Sequence, residues 1–273
     1  MCATCGCDHS ENGIKITRVS AEVFQPVANG HSHLLHGNGY SHGTNQKVVQ
    51  VEQDILARNN HLAQHNRQHF DAAGMFAINL VSSPGSGKTA LLERTLRDLK
   101  TTLPFAVIEG DLQTTNDANR IAATGAPVVQ INTGKGCHLD ADMVHRALHE
   151  LNPPEQSILF IENVGNLVCP AMFDLGEHAR VAIISVTEGT DKPLKYPDMF
   201  ASSQLCIINK IDLLTHTDFD VQRARAYCRQ INPTIEFIEL SVTKGFGMDE
   251  WYAWLKRQPR RPVTRGTRSL SMN

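Results

Sequence analysis

No stretch of this 273-residue chain approaches the roughly 20 consecutive apolar residues that a membrane-crossing helix needs. The opening Met1-Cys2-Ala3-Thr4-Cys5-Gly6-Cys7 lacks the apolar core of a secretory leader. Charge of one sign is also missing. Lys and Arg number 26 against 28 Asp and Glu, a formal net charge of −2, so no global basic field speaks for nucleic acid. These absences predict a cytoplasmic protein with neither a membrane nor a nucleic-acid partner. There its seven cysteines stay reduced and serve metals sooner than disulfides. A second cysteine pair at ribbon spacing is absent, which makes a zinc-ribbon module the weakest reading. No Ser-His-Asp or other covalent nucleophile arrangement is evident, so any hydrolysis must rest on positioning and charge stabilisation.

What is present begins with Ser82-Ser83-Pro84-Gly85-Ser86-Gly87-Lys88-Thr89. The apolar run Phe76-Ala77-Ile78-Asn79-Leu80-Val81 enters it and reads as a buried strand. Leu92, Leu96 and Leu99 leave it on one face of a helix. Strand, glycine-bearing loop, Gly-Lys-Thr and helix make the layout of a phosphate-binding P-loop, as against an ordinary Ser/Gly turn. Gly85, Ser86 and Gly87 let backbone N–H groups turn toward phosphate oxygens, Lys88 brings a point charge, and Thr89 a hydroxyl for Mg²⁺. The strict pattern wants Gly where Ser82 stands, and Pro84-Gly85 can still make the turn.

Six further apolar, β-branched runs follow, at residues 105–108, 128–131, 158–161, 181–184, 205–208 and 235–238, separated by stretches long enough for helices. They predict an α/β fold: a mostly parallel, seven-stranded P-loop NTPase sheet with helices on both faces. Functional residues then belong in the loops at the carboxyl ends of the strands. Glu109, Asp111 and Asp117 follow the run 105–108, and Glu162 and Gly165 the run 158–161. Asp111 and Glu162 can tend Mg²⁺ or the attacking water, and Gly165 can offer its N–H to a γ-phosphate. Asn209-Lys210-Ile211-Asp212 follows the run 205–208. A carboxylate at Asp212 can accept from N1 and the 2-amino group of guanine, and adenine offers neither donor, so GTP and GDP are expected over ATP. Ser241-Val242-Thr243-Lys244-Gly245 can close over the base.

Outside this domain (residues 48–255) the composition changes. Residues 1–47 read as a flexible metal-binding arm, with Cys2, Cys5 and Cys7 at its tip and His31, His33, His36 and His42 among Gly, Ser and Asn. Three thiolates so close can share one Zn²⁺ or Ni²⁺ ion, and the amine of Cys2 is a possible fourth donor once Met1 is removed. Residues 48–73 read as a helix with Val48, Val51, Ile55 and Leu62 near one face. Its stripe of His61, His65 and His69 is more plainly a solvated face than a metal site. Cys137, His138 and Cys169 can form a two-thiolate, one-imidazole site for Zn²⁺ or Ni²⁺, or behave as small buried residues, as Cys206 and Cys228 should. Residues 256–273, with Arg257, Arg260, Arg261, Arg265 and Arg268, read as a disordered basic tail.

These strings together resemble the HypB family of hydrogenase maturation GTPases. The likeness runs through the Cys-x-x-Cys-Gly-Cys terminus, Ser-Pro-Gly-Ser-Gly-Lys-Thr, Glu-Gly-Asp-Leu-Gln-Thr, Gly-Lys-Gly-Cys-His-Leu-Asp, Glu-Asn-Val-Gly-Asn-Leu-Val-Cys-Pro and Asn-Lys-Ile-Asp, from Cys2 to about Gly247. The resemblance implies a SIMIBI-class GTPase that dimerises when nucleotide binds. It also implies a tight nickel site at Cys2, Cys5 and Cys7 and a weaker Ni²⁺/Zn²⁺ site at Cys137, His138 and Cys169 near the dimer interface. Its implied partners are a HypA-like accessory protein, the nickel-storage protein SlyD and the hydrogenase large subunit. The signature lysine of the class is absent where Ser82 and Ser83 stand, and Lys135 is the substitute the sequence offers. The expected function is that of a GTP-hydrolysing nickel metallochaperone. The alternatives are a nickel or zinc store with a regulatory G domain, a urease-type accessory GTPase, and a plain regulatory GTPase.

Overall fold

A computed structural model describes residues 14–19, 45–112, 114–134 and 136–259, with the side chains of the first helix from residue 53 onward. Cys2, Cys5, Cys7, the segment His31 to His42, Lys135 and the arginines from Arg260 on lie outside the described residues. In chain order the elements are β1 (Lys15–Val19), α1 (Asn45–Ala72), β2 (Phe76–Ser82), α2 (Lys88–Leu99), β3 (Phe105–Asp111), α3 (Asn116–Ala122), β4 (Val128–Asn132) and α4 (Ala141–Leu151). There follow β5 (Ile158–Glu162), α5 (Cys169–Met172), β6 (Ala179–Ser185), α6 (Lys192–Lys195), α7 (Pro197–Ala201), β7 (Leu205–Asn209), α8 (Val221–Ile231), β8 (Glu236–Glu239) and α9 (Met248–Arg257). A 3-10 turn, Ile211–His216, follows β7.

All seven expected strands form, in the order β4-β3-β5-β2-β6-β7-β8, each parallel to its neighbours. One correction concerns their number. Among the described residues the sheet has eight strands, because β1, inside the stretch read as an arm, pairs antiparallel with β4. The physical reason is the alternation in Ile14-Lys15-Ile16-Thr17-Arg18-Val19. It points Ile14 and Ile16 at the core and leaves Lys15 and Thr17 exposed on the other face, as an edge strand allows. The helical boundaries also run slightly wider than expected, from Asn45 and to Arg257. Among the described residues no helix is long and apolar enough to cross a membrane.

Period-two alternation sorts each strand between two helical layers. Phe76, Ile78 and Leu80 of β2 face Leu92, Leu96 and Leu99 of α2 and Trp251 and Trp254 of α9. Ala77 of β2 and Ile108 of β3 face Val144, Ala147 and Leu151 of α4. Cys206 and Cys228 are fully buried in a third apolar cluster with Met199 and Phe200, as small hydrophobes.

The seat of α1 differs from expectation. Its buried stripe is Asn59, Ala63, Asn66 and Phe70, while Ile55 is exposed. The surface beneath is polar backbone, which an aliphatic stripe would leave unsatisfied. Asn59 donates to the Asp174 carbonyl at 2.8 Å and accepts from the Ala141 N–H at 2.9 Å. Asn66 donates to the carbonyls of Ala141 at 2.9 Å and Leu175 at 3.1 Å. Arg67 pairs with Asp174 at 2.9 Å. Helix α1 is thereby fixed to the start of α4 and to the loop after α5.

Candidate functional site

The loop after β2 turns at Gly85 (φ 75°) and Gly87 (φ 98°) and delivers Lys88 and Thr89 to the first turn of α2. Ser82 replaces the expected glycine without cost because it is still strand, buried and in register with Ile183. A cleft of about 410 Å³ opens over the loop, lined by Pro84, Lys88, Thr89, Glu109, Asp111 and Gly165 among others. The N–H groups that begin α2 and the positive end of its dipole make this an anion seat. Gly165 closes the far wall, where an added Cβ would lie 3.2 Å from the Pro84 ring.

The sheet register sets the acidic side of the cleft. Glu109 of β3 and Glu162 of β5 are cross-strand partners, on the face that carries α2. Glu162 is buried; its Oε1 accepts from Lys88 Nζ at 2.8 Å and Thr89 Oγ1 at 2.5 Å. Its Oε2 and the Glu109 Oε2 are buried and have no hydrogen-bond partner among the described residues. Burial first, then the charges of Glu162 and Asp111, push the Glu109 carboxyl up to about 9. Glu109 is among the strand-end carboxylates named from the sequence, but its pairing with Glu162 was not foreseen.

Asp111 lines the cleft but does not meet Lys88 or Thr89. Its carboxylate folds back on its own loop, accepting from Leu112 N at 2.7 Å, Thr114 N at 3.0 Å and Thr114 Oγ1 at 2.6 Å. Asp117, at the start of α3, comes within 3.1 Å of Thr89 Oγ1 instead, as the longer alternative to Glu162 for the one hydroxyl proton. A residue not foreseen is Lys192. It donates to Ser83 Oγ at 2.8 Å and pairs with Glu188 at 3.0 Å, so the first residue of α6 stands at the start of the P-loop.

Asn209 and Lys210 both hold the P-loop backbone. Asn209 Nδ2 donates to the Ser86 carbonyl at 2.8 Å and Lys210 Nζ to the Gly85 carbonyl at 2.7 Å. Asp212, half-buried, follows in the 3-10 turn. The Ser241 loop adjoins this corner, with Val242 N donating to Asn209 Oδ1 at 3.4 Å.

The structure also brings Cys137, His138 and Cys169 together, their ligand atoms all within 4.8 Å of one another. Cys137 Sγ lies 2.8 Å from Cys169 Sγ and 3.7 Å from His138 Nδ1. His138 stacks on Phe173 at 4.0 Å between centroids, and burial lowers its basicity. The hydrogen bond that Cys137 donates to Cys169 raises the Cys137 thiol. Two sulfurs and an imidazole nitrogen suit Zn²⁺ or Ni²⁺. The two halves of the site share the loop after β5. Asn163 accepts from Leu139 N at 3.2 Å, and Asn166 accepts from Val168 N at 2.8 Å and donates to the Cys137 carbonyl at 3.4 Å.

A glycine-turned anion seat after a central parallel strand, with an Asn-Lys-x-Asp corner against it, defines a P-loop nucleotide-binding protein of the doubly wound α/β class. Comparison with known proteins narrows this. The profile of the CobW/HypB/UreG nucleotide-binding domain matches residues 76–239. The hydrogenase maturation factor HypB of Azotobacter vinelandii is 51% identical, over 98% of this chain and 94% of that one. The crystal structure of HypB from Archaeoglobus fulgidus superposes with a TM-score of 0.69 at 39% identity, over 73% of this chain and 98% of that one. A structure of Helicobacter pylori HypB in complex with nickel gives 0.68 at 36% identity, over 73% of this chain and 94% of that one. The chain belongs to the HypB family of hydrogenase maturation factors.

Proposed function

We propose that this chain binds GTP, hydrolyses it slowly to GDP and phosphate, and uses that cycle to gate nickel destined for the large subunit of a [NiFe]-hydrogenase. One observation supports the reading: a single loop joins the P-loop lysine and threonine at one end to the cysteine cluster at the other. Glu162 begins it, in contact with Lys88 and Thr89, and Cys169 ends it, in contact with Cys137. A phosphate that draws Lys88 off Glu162 changes the forces on the segment that carries a metal ligand.

The roles follow from position. Lys88 and the amides of Gly85, Ser86 and Gly87 hold the phosphates, Asn209 and Lys210 hold the loop that holds them, and Asp212 selects guanine. The Thr89 hydroxyl and the unpaired carboxylate oxygens of Glu162 and Glu109 fit Mg²⁺, a hard cation that takes oxygen donors and screens phosphate charge when bound. Asp111, released from its turn, orients water. Cys2, Cys5 and Cys7 carry Ni²⁺, and Cys137, His138 and Cys169 exchange Ni²⁺ or Zn²⁺. The relative solved with nickel supports that cargo. The setting is cytoplasmic, as a homodimer favoured by nucleotide or metal, with a HypA-like accessory protein and a SlyD-like nickel store as partners.

The test is an equilibrium Ni²⁺ titration of the full chain with GDP and with a non-hydrolysable GTP analogue. Affinity or stoichiometry should differ between the two. Equal tight binding in both states would remove the gate, and no tight binding in either would remove nickel as the cargo.

A further inference from the structure

Two pairs of histidines, each one helical turn apart, meet across the junction of α1 and α4. His65 and His69 lie on α1, and His145 and His149 on α4. The His145 and His149 rings stand edge to face at 4.7 Å between centroids, with their Nε2 atoms 3.2 Å apart. The His65 ring meets the His145 ring at 5.2 Å, again edge to face. His61, one turn earlier on α1, is exposed and takes no part.

The tautomer of His145 is set by its neighbour. Asn66 spends its amide hydrogens on the Ala141 and Leu175 carbonyls, which leaves Oδ1 as an acceptor. That oxygen faces His145 Nδ1 at 3.3 Å, so Nδ1 carries the proton and the neutral ring turns a bare Nε2 lone pair toward His149. A carboxamide or carbonyl gripping the far nitrogen of a histidine is the usual outer support of a metal ligand. Two nitrogens each about 2.0–2.1 Å from a tetrahedral ion lie roughly 3.3 Å apart, close to the spacing found here. The surroundings favour neutral rings. Burial and the neighbouring His149 and His65 hold His145 below its ordinary value against the opposing charge of Asp142, and burial with His149 and His65 does the same to His69.

We propose that His145 and His149 form the core of a metal site for a divalent Ni²⁺ or Zn²⁺ ion, separate from the cysteine sites, which His65 or His69 completes by turning its ring inward when the ion binds. Imidazole donors suit either ion. The ion clamps α1, which leads out of the N-terminal arm, to α4, which begins just after His138. The inference does not depend on GTP hydrolysis or on hydrogenase delivery.

The test uses the full chain with Cys2, Cys5, Cys7, Cys137 and Cys169 changed to Ser, titrated with Zn²⁺ or Ni²⁺ alone. Histidine acylation by diethyl pyrocarbonate is mapped by mass spectrometry before and after one equivalent of metal. His145 and His149 should be protected before the histidines of the arm. In the same background His149→Gln should weaken the ion bound there roughly 10- to 100-fold and expose His145 to the reagent. His149 is exposed, so this variant should fold, as unchanged GDP binding would verify. Protection confined to the arm histidines, or metal binding that His149→Gln leaves unchanged, would overturn the proposal.

Discussion

Gly87 and Asn209 occupy adjoining space that leaves no room for a side chain between them. A Cβ on Gly87 would lie 2.4 Å from Asn209 Nδ2, the atom that donates to the Ser86 carbonyl. Gly87 also has φ 98°, a conformation that costs other residues about 1–2 kcal/mol. Gly87→Ala should therefore weaken GDP binding by about a hundredfold or more, near 2.7 kcal/mol, in a titration with a fluorescent GDP analogue. Adding Asn209→Ala should recover part of the loss, because it relieves the clash but not the backbone strain. Wild-type affinity in Gly87→Ala would show that the loop is not shaped as described.

Lys88 has two duties that can be separated. It is the phosphate-binding cation, and it is also the counter-charge of Glu162, buried at 2.8 Å. Lys88→Ala should abolish measurable GTPase activity. It should also lower stability by about 3–5 kcal/mol in urea denaturation, because a buried carboxylate loses its partner. Lys88→Ala with Glu162→Gln should regain most of that stability while GTPase activity stays absent. If the double variant is no more stable than the single one, Glu162 is not the group that Lys88 neutralises.

Glu109 predicts a pH dependence whose sign can be worked out. In the folded, metal-free protein its carboxyl is held up to about 9 by burial and by the neighbouring Glu162 and Asp111 charges, from an ordinary 4.5. Between these values the unfolded chain has lost the proton and the folded chain has kept it. The contribution is whole below about 4.5 and disappears as pH rises through about 9, at up to about 1.4 kcal/mol per pH unit. Glu109→Gln removes this loss. In chelator and without nucleotide, the stability of the variant relative to wild type should grow between pH 6 and pH 8. A constant difference across that range would mean that Glu109 is already ionised.

The sheet and both loop motifs were legible because their causes are local. Strands buried on both faces must be apolar throughout, so Phe76 to Ser82 and its six parallel companions announce themselves. The Gly-Lys-Thr turn and the Asn-Lys-Ile-Asp corner are set by their own backbone needs. What could not be read depends on neighbours distant in sequence. Glu109 faces Glu162 only because β3 lies beside β5 in this register. Asp111 does line the cleft, but that its carboxylate is held by Leu112 and Thr114 depends on the path of the loop after β3. Strand β1 sat within a stretch marked by clustered Cys and His, and the asparagine stripe of α1 answers carbonyls near residues 141 and 174. The contact of Lys192 with Ser83 spans more than a hundred residues.

Asn166 offers a way to test the coupling without touching either ligand set. Its side chain holds the loop after β5 in two places, through Val168 N at 2.8 Å and the Cys137 carbonyl at 3.4 Å. It contacts neither Lys88 nor Thr89, and it supplies no metal donor. Asn166→Ala should keep GDP affinity and GTPase turnover near wild type, and it should still bind Zn²⁺ at Cys137, His138 and Cys169. The difference in metal affinity between the GDP state and the GTP-analogue state should shrink, because Cys169 no longer moves in step with Glu162. A net hydrogen bond to a backbone group contributes about 1 kcal/mol, so two lost contacts should narrow the difference by roughly 10-fold or more. If the nucleotide effect on metal affinity is unchanged in this variant, the coupling does not run through the loop that joins Glu162 to Cys169.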